Sequence, residues 1–282
     1  MKRILPAIGL VPFSVYVAVF FVLPTILAII SGFLTREGGF TMDNLRVLQN
    51  PTIVNSFIAS LWVSLLTSAL GAMIGAVVAW ALTGLPEHGA LRRTVDAASS
   101  VLSQFGGVML AFAFIATIGI QGMITVLLRD SLGIDIYANG VWLYQPAGLI
   151  LPYLYFQVPL MAITFLPAVE ALRSGWAEAV ATLGGTNWHY WTRVGIPVLT
   201  PTFLGGLLLL FANAFSSYST AAGLISQGSG IVPLQIGAAL KGETGASQPA
   251  TAGILALVMI LVMSLALIVY ERLMKKAAKW QA

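Results

Sequence analysis

The side chains of this chain that could do chemistry inside an apolar environment are amides and hydroxyls, not acids and bases. Asn213, Ser216, Ser217, Tyr218 and Ser219 crowd into one long apolar stretch, Tyr153, Tyr155 and Gln157 sit in another, and Gln104 stands in a third. Such groups hydrogen-bond a polar solute or one another, and the Asn213–Ser219 cluster is more polar than contact with lipid tolerates. A buried amide or hydroxyl more often bonds a neighbouring helix than a solute, so each candidate also has that plainer reading. No Asp, Glu, Lys or Arg falls in these stretches, and His88 and His189 both lie between them. An intramembrane hydrolase needs a nucleophile beside a base or paired acids. An ion-coupled carrier ordinarily places a charge there. Neither class finds its groups. The Gly-x-x-x-x-Gly-Lys-Ser/Thr pattern is missing too, so this chain cannot build a phosphate-cradling loop and any ATP-driven motor must be another polypeptide. With no cysteine, disulfides and thiolate metal sites are excluded.

The elements that must position these groups follow from composition. A chain of 282 residues that is 58% hydrophobic and only 9% charged reads as an integral membrane protein. An ionisable side chain near the bilayer centre costs about 2.5–3.5 kcal/mol, so charge-free intervals locate the spans. These intervals predict six transmembrane helices over 10–33, 56–83, 98–119, 147–168, 199–223 and 250–270, each long enough for the ~20 apolar residues that cross a bilayer. The runs are continuous rather than alternating, which excludes barrel strands. The fold class is therefore all-α, a polytopic membrane protein, with one membrane domain over 1–282. Gln104 falls in the third helix, Tyr153 and Gln157 in the fourth, and the hydroxyl cluster late in the fifth. Pro24 predicts a kink in the first helix. Gly106 and Gly107 predict close approach of neighbouring backbones to the third. The first apolar segment is too long for a signal-peptide core and reads as retained. Glu87–Arg93 reads as a short turn, and Gln121–Gln145 as a loop with an interfacial helix over Met123–Arg129, anchored by Trp142 and Tyr144.

Basic residues orient the spans. With a cytoplasmic N-terminus, Lys2, Arg3, Arg92, Arg93, Arg173, Arg193, Arg272, Lys275, Lys276 and Lys279 lie inside, and only Arg36, Arg46, Arg129 and Lys241 outside. Both termini are then cytoplasmic. The net charge of +4 reads as topology and not as nucleic-acid binding.

Between the fourth and fifth spans lies a polar, helix-breaking insert over 169–197. Leu172, Trp176, Ala179 and Leu183 recur at helical spacing from Val169, predicting a helix of about four turns with one apolar stripe. Gly184 and Gly185 end it, since a left-handed C-terminal position prefers glycine. Thr186 can cap a second short helix bearing Trp188 and Trp191, and Pro197 and Pro201 reset the chain into the fifth span. The plainer reading of this elbow is an amphipathic helix lying on the membrane surface.

Glu178, Ala179, Gly184, Ile196 and Pro197 stand where the EAA loop of ABC-importer permeases has its pattern residues, with Val180 in place of the usual Ala. The insert thus resembles that loop. Phe40-Thr-Met-Asp-Asn-Leu and Asn55-Ser56 resemble segments before the second helix of the same family. The run from Pro152 to Met161, followed by Leu183-Gly184-Gly185, looks most like the spermidine/putrescine-type permeases, whose relatives include iron(III) and phosphonate importers. One departure is Ser216-Ser217-Tyr218 where those permeases often carry Gly-Asp/Glu-Phe, so a polycation would find tyrosine and tryptophan faces here and no carboxylate.

The resemblance implies a non-enzymatic permease subunit in the bacterial cytoplasmic membrane, with Glu178, Ala179, Leu183, Gly184, Gly185, Ile196 and Pro197 coupling it to a separate ATPase. It implies as partners an ABC ATPase dimer that binds the ATP, a second permease subunit, an extracytoplasmic solute-binding protein and membrane lipid. The solute is polyamine-like or of the related phosphonate or iron type, and Gln104, Tyr153, Gln157, Asn213, Ser216, Ser217 and Tyr218 are the candidate pathway. The alternative readings are the membrane subunit of an ABC exporter or lipid-moving system, and then an ion-coupled carrier.

Overall fold

The computed structural model describes residues 4–35, 37–86, 88–172, 174–225, 230–242 and 248–278. Every regular element among the described residues is a helix, apart from an isolated bridge between Leu34 and Phe40. Six helices are long and apolar enough to cross a membrane: Leu10–Ser31, Pro51–Thr83, Gly107–Leu132, Pro146–Glu170, Asn187–Ser216 and Pro249–Lys275. The all-α, six-span expectation is borne out. The chain divides into two compact units, one made of residues up to Asn55 with Val232–Val262, the other of Ser56–Ile231 with the chain from Met263 onward.

In the first unit, α1 (Ile4–Val17) passes through a wide π turn at Ala18–Val22 into α2 (Leu23–Ser31). The turn explains how Pro24 is tolerated. A proline ring clashes with the carbonyl four residues back, here that of Phe20, and a π turn moves that carbonyl aside. Accordingly the Leu23 N–H donates five residues back, to the Ala18 carbonyl. The Asn44 amide then ties down the turn after α2, donating to the carbonyls of Gly32 at 3.0 Å and Leu34 at 3.1 Å. Two further helices fall here, α12 (Val232–Lys241) and the first half of α13 (Pro249–Ala278). A Cβ on Gly32 would lie 2.9 Å from the Ile254 nitrogen, so α2 and α13 meet backbone to backbone.

The second unit is built on α3 (Pro51–Thr83), which presents a face of small residues at helical spacing: Ser60, Ser64, Thr67, Gly71 and Gly75. That face admits α7 (Ile150–Glu170) so closely that a Cβ on Gly75 would stand 2.5 Å from the Met161 Cβ. Ala72 and Ala79 of α3, Met161, Phe165 and Val169 of α7, and Leu199 and Leu210 of α10 (Ile196–Ser216) form the buried apolar core.

Four sequence expectations are corrected. The predicted third helix over 98–119 is two helices, α4 (Ala90–Leu102) and α5 (Gly107–Ile118), and Arg92 and Arg93 belong to α4 instead of a turn. The predicted second helix starts earlier, at Pro51, because Asn50 is extended and its side chain accepts the Thr52 N–H at 2.9 Å. The predicted fifth helix over 199–223 ends at Ser216, and a separate short α11 (Ser219–Leu224) follows. Pro197 and Pro201 reset nothing. The chain runs from α9 (Asn187–Tyr190) through a second π turn, Trp191–Gly195, straight into α10, because the turn frees the Arg193 carbonyl that Pro197 would otherwise strike. A helix is present where one was expected over Met123–Arg129, as α6 (Met123–Leu132), and it falls within the span Gly107–Leu132.

Candidate functional site

Twice in the second unit the chain leaves a helix within an apolar region, and both departures face one space. Between α4 and α5 the residues Ser103–Gly106 are non-helical, and Gly107 opens α5 with φ +74°, a conformation costly for any residue bearing a Cβ. Between α10 and α11, Ser217 is extended (φ −70°, ψ 104°). The preceding Ser216 hydroxyl donates back to the Ala212 carbonyl at 2.8 Å, a bond that competes with the helix ladder at its end.

The open cavity bordered by the two breaks holds about 630 Å³. Ser103, Gln104, Gly106 and Gly107 line one side; Asn213, Ser216, Ser217, Tyr218, Ser219 and Thr220 line the other, with Phe156 of α7 between them. No ionisable carboxylate or ammonium is among these lining residues. A hydrogen bond holds the two breaks together: the Gly107 N–H donates to Thr220 Oγ1 at 2.9 Å, and Thr220 is fully buried. Behind it α5 and α11 pack tightly, a Cβ on Gly223 falling 2.8 Å from the Ala111 Cβ.

Of the pathway candidates, Gln104, Asn213, Ser216, Ser217 and Tyr218 therefore meet in one cavity. Tyr153 and Gln157 do not line it. The Tyr153 hydroxyl donates from behind to the Ser217 carbonyl at 3.3 Å, bracing the extended residue. Gln157 is buried among α3, α7 and α10, where its Nε2 donates to the Leu210 carbonyl at 3.3 Å and to Thr67 Oγ1 at 3.4 Å. Its Oε1 has no hydrogen-bond donor among the described residues but lies 2.9 Å from where a Gly71 Cβ would be, so a Gly71 Cα–H points at it. Both residues follow the cross-helix bonding that is the commoner fate of such groups. The sequence reading missed Ser103, Phe156 and Thr220. The Ser103-Gln104 and Gly106-Gly107 pairs, polar residues and helix breakers inside an apolar run, were the available signal for the first break.

The elbow has a different character. Its first helix, α8 (Ser174–Thr182), spans nine residues and not four turns, because α7 ends at Glu170 and the chain turns before α8 begins. Val169 and Leu172 of the expected stripe accordingly pack with the core. Ala179 and Leu183 instead face outward, Leu183 88% exposed, beside Trp188 at 74%. Gly184 has the expected positive φ, +77°, and no atom lies within 4 Å of where its Cβ would be. Thr186 opens α9 as expected, its N–H donating to Nδ1 of His189 at 3.2 Å, so His189 serves as a capping side chain. Glu178 is exposed and makes no ion pair or hydrogen bond among the described residues. Ile196 and Pro197 lie within the continuous rod from α9 to α10.

Near the α5–α6 turn, burial raises the pKa of the Tyr137 phenol, with Tyr144 adding to the shift, so the hydroxyl remains a donor, to the Ile118 carbonyl. Its ring stacks on Trp142 at 6.0 Å, and the Trp142 indole N–H donates to the Ile136 carbonyl at 3.1 Å.

No family model matches the chain. Among curated proteins it is 25% identical over 175 residues to the sulfate transport system permease protein CysT of Escherichia coli (strain K12), covering 61% of this chain and 59% of that protein. It is 24% identical over 222 residues to the spermidine/putrescine transport system permease protein PotB of Salmonella typhimurium (strain SL1344), covering 72% and 71%. The match thus spans about three-fifths of the length of the sulfate-permease relative. Among solved structures, a bacterial ABC transporter involved in the import of the acidic polysaccharide alginate contains a chain that superposes with TM-score 0.71 at 17% identity, over 96% of both chains. The methionine ABC transporter MetNI in an inward-facing conformation gives TM-score 0.52 at 18% identity, over 78% of this chain and 95% of that one. The resemblance read from the elbow motif is borne out: in sequence this chain is similar to permease subunits of ABC transport systems, which are not themselves enzymes, and in fold it is similar to chains of ABC importers.

Proposed function

We propose that the chain is the membrane subunit of a binding-protein-dependent ABC importer, forming half of a translocation path in a bacterial inner membrane. The observation that carries this reading is the cavity between the two helix breaks. Discontinuous helices inside a membrane are where transporters hold solutes, because unwound backbone and helix ends are tolerated only where they line a cavity. The relatives are named for sulfate and for spermidine/putrescine. The lining offers hydroxyl and amide donors and no carboxylate, which suits an oxyanion such as sulfate better than a polycation. Asn213, Ser217 and Tyr218 contact the solute in this reading, and Tyr153 holds Ser217 in place.

The elbow couples the chain to its motor. Leu183 and Trp188, exposed on either side of Gly184, supply an apolar surface for a separate ATPase, and Glu178 beside them supplies a charge at the same joint. The remaining partners are a second permease and an extracytoplasmic binding protein.

The deciding experiment is uptake of radiolabelled sulfate and of spermidine into proteoliposomes containing the whole complex. Sulfate uptake that requires both ATP and the binding protein is expected, with little spermidine uptake. Uptake driven by an ion gradient without ATP would overturn the reading. Topology is checked in the same Cys-free chain: an impermeant thiol reagent applied to intact cells should label Ala138→Cys and leave Asn187→Cys unlabelled.

A further inference from the structure

The helix whose start was expected to be a turn and whose end was expected in the third span links the two regions just described. α4 runs antiparallel to α7 and is fastened to it at both ends. At its start, Arg92 forms an ion pair with Glu170, the last residue of α7, and lies 3.8 Å from Asp96 one turn further on. The Arg92 side chain is only 11% exposed whereas Glu170 is 39% exposed, so the guanidinium is withdrawn from water and the carboxylate keeps contact with it. Just beyond the other end of α4, Phe105 packs against Tyr155 with ring centroids 6.3 Å apart. The next residues of the chain past Leu102, Ser103 and Gln104, are already the cavity wall. On the α7 side, Glu170 is the residue from which the chain turns into α8 of the elbow. A 13-residue helix is about 20 Å long at 1.5 Å per residue.

We propose that α4 is a connecting rod which carries displacement of the elbow to the Ser103–Gly107 wall of the cavity, with Arg92 and Glu170 as the positioning residues that fasten it. This rests on the importer reading above. A guanidinium withdrawn from water and paired across helices favours one discrete arrangement, since parting it from Glu170 leaves the largely buried Arg92 charge with only the more distant Asp96. When the end of α7 moves with the elbow, α4 must move with it and carries Ser103 and Phe105, whose N–H groups still donate to the Ser99 and Val101 carbonyls of α4 at 2.9 and 3.0 Å, so the break beyond Phe105 takes up the motion. Apolar packing alone would let α4 slide along α7; the ion pair fixes its register.

The test uses the complete complex in proteoliposomes, with solute uptake and ATP hydrolysis measured on the same vesicles. Arg92→Gln and Glu170→Gln are compared with the exchanged pair Arg92→Glu with Glu170→Arg. Each single variant is expected to assemble and to hydrolyse ATP at the basal wild-type rate, while uptake per ATP hydrolysed falls roughly 2- to 30-fold, the range that coupling residues outside a binding site commonly control. The exchanged pair should recover part of that loss, short of all of it because Asp96 faces the introduced carboxylate. Unchanged uptake per ATP in both single variants would overturn the proposal. So would loss of uptake in strict proportion to loss of assembled complex, which would make the pair a packing contact. Wild-type vesicles that need no ATP would refute the importer reading, and the rod with it; coupled wild-type vesicles with indifferent variants refute the rod alone.

Discussion

Gly107 and Gly184 have almost the same backbone conformation, φ +74° and +77°, and stand in opposite surroundings. A Cβ at Gly107 would meet the Ser219 hydroxyl at 3.2 Å, and its N–H is held by buried Thr220; at Gly184 a Cβ would meet nothing. One turn is enclosed by its own chain and the other is bare. The difference teaches that positive φ alone does not reveal what a glycine is for. At the cavity the glycine answers to local packing, so the geometry is complete within this polypeptide. At the elbow the conformation leaves Leu183 and Trp188 exposed, the surface that the proposed coupling to an ATPase would use.

Changes at Gly107, Thr220, Gly184 and the Leu183–Trp188 pair can break or sharpen that contrast. Gly107→Val combines backbone strain of ~1–3 kcal/mol with crowding against Ser219, so it should lower the yield of folded, monodisperse protein on size-exclusion chromatography more than any other change named here. Thr220→Val keeps the shape but strands the buried Gly107 N–H, at a cost of about 1–3 kcal/mol. Its thermal unfolding midpoint in detergent should drop, and Thr220→Ser should restore it. Gly184→Val carries the same ~1–3 kcal/mol of strain, but confined to the elbow. Membrane insertion should therefore stay normal while ATPase binding and uptake are lost; Gly184→Asn, which tolerates positive φ, should be far milder. Full ATPase retention and full uptake in Gly184→Val would mean the bare turn is not the coupling element. Smallest in stability is Leu183→Ser with Trp188→Ser. Both side chains are exposed, so the isolated permease should stay within about 0.5 kcal/mol of wild type, as surface changes usually do, while its pull-down of the ATPase weakens.

A related change tests the cavity itself. Ser217→Leu should reduce solute uptake with assembly and basal ATP hydrolysis intact, since Ser217 lies at an opening already free of helix packing.

The spans were legible because charge is excluded from lipid over a length that chemistry fixes, and Gly184 and Thr186 were legible because helix ends have local rules. α4 was not. Arg92, Arg93 and Asp96 barred it from being read as a span, and the partner that makes its charges tolerable, Glu170, is remote in sequence. The end of α10 was misread for the opposite reason: Asn213–Ser219 was seen to be too polar for lipid, but whether such a cluster sits inside a helix or ends one depends on what the backbone then bonds. Here Tyr153 takes the Ser217 carbonyl, a contact no local pattern contains. The same remoteness sent Gln157 into helix packing, because Gly71 and Thr67 leave room for it on α3.

The π turn at Trp191–Gly195 has a consequence for helix phase. A π turn inserts one residue into an α-helix, and each residue advances the helix by about 100°. The face that carries Trp188 is therefore offset by about that angle from where an unbroken helix would place it relative to α10. Removing one residue between Trp191 and Gly195 would leave the rod helical and swing Trp188 to a different azimuth, while Pro197 would strike the ladder it now avoids. The direction in which the elbow points is thus set by an integer, the number of residues in one turn, and cannot be adjusted gradually by packing.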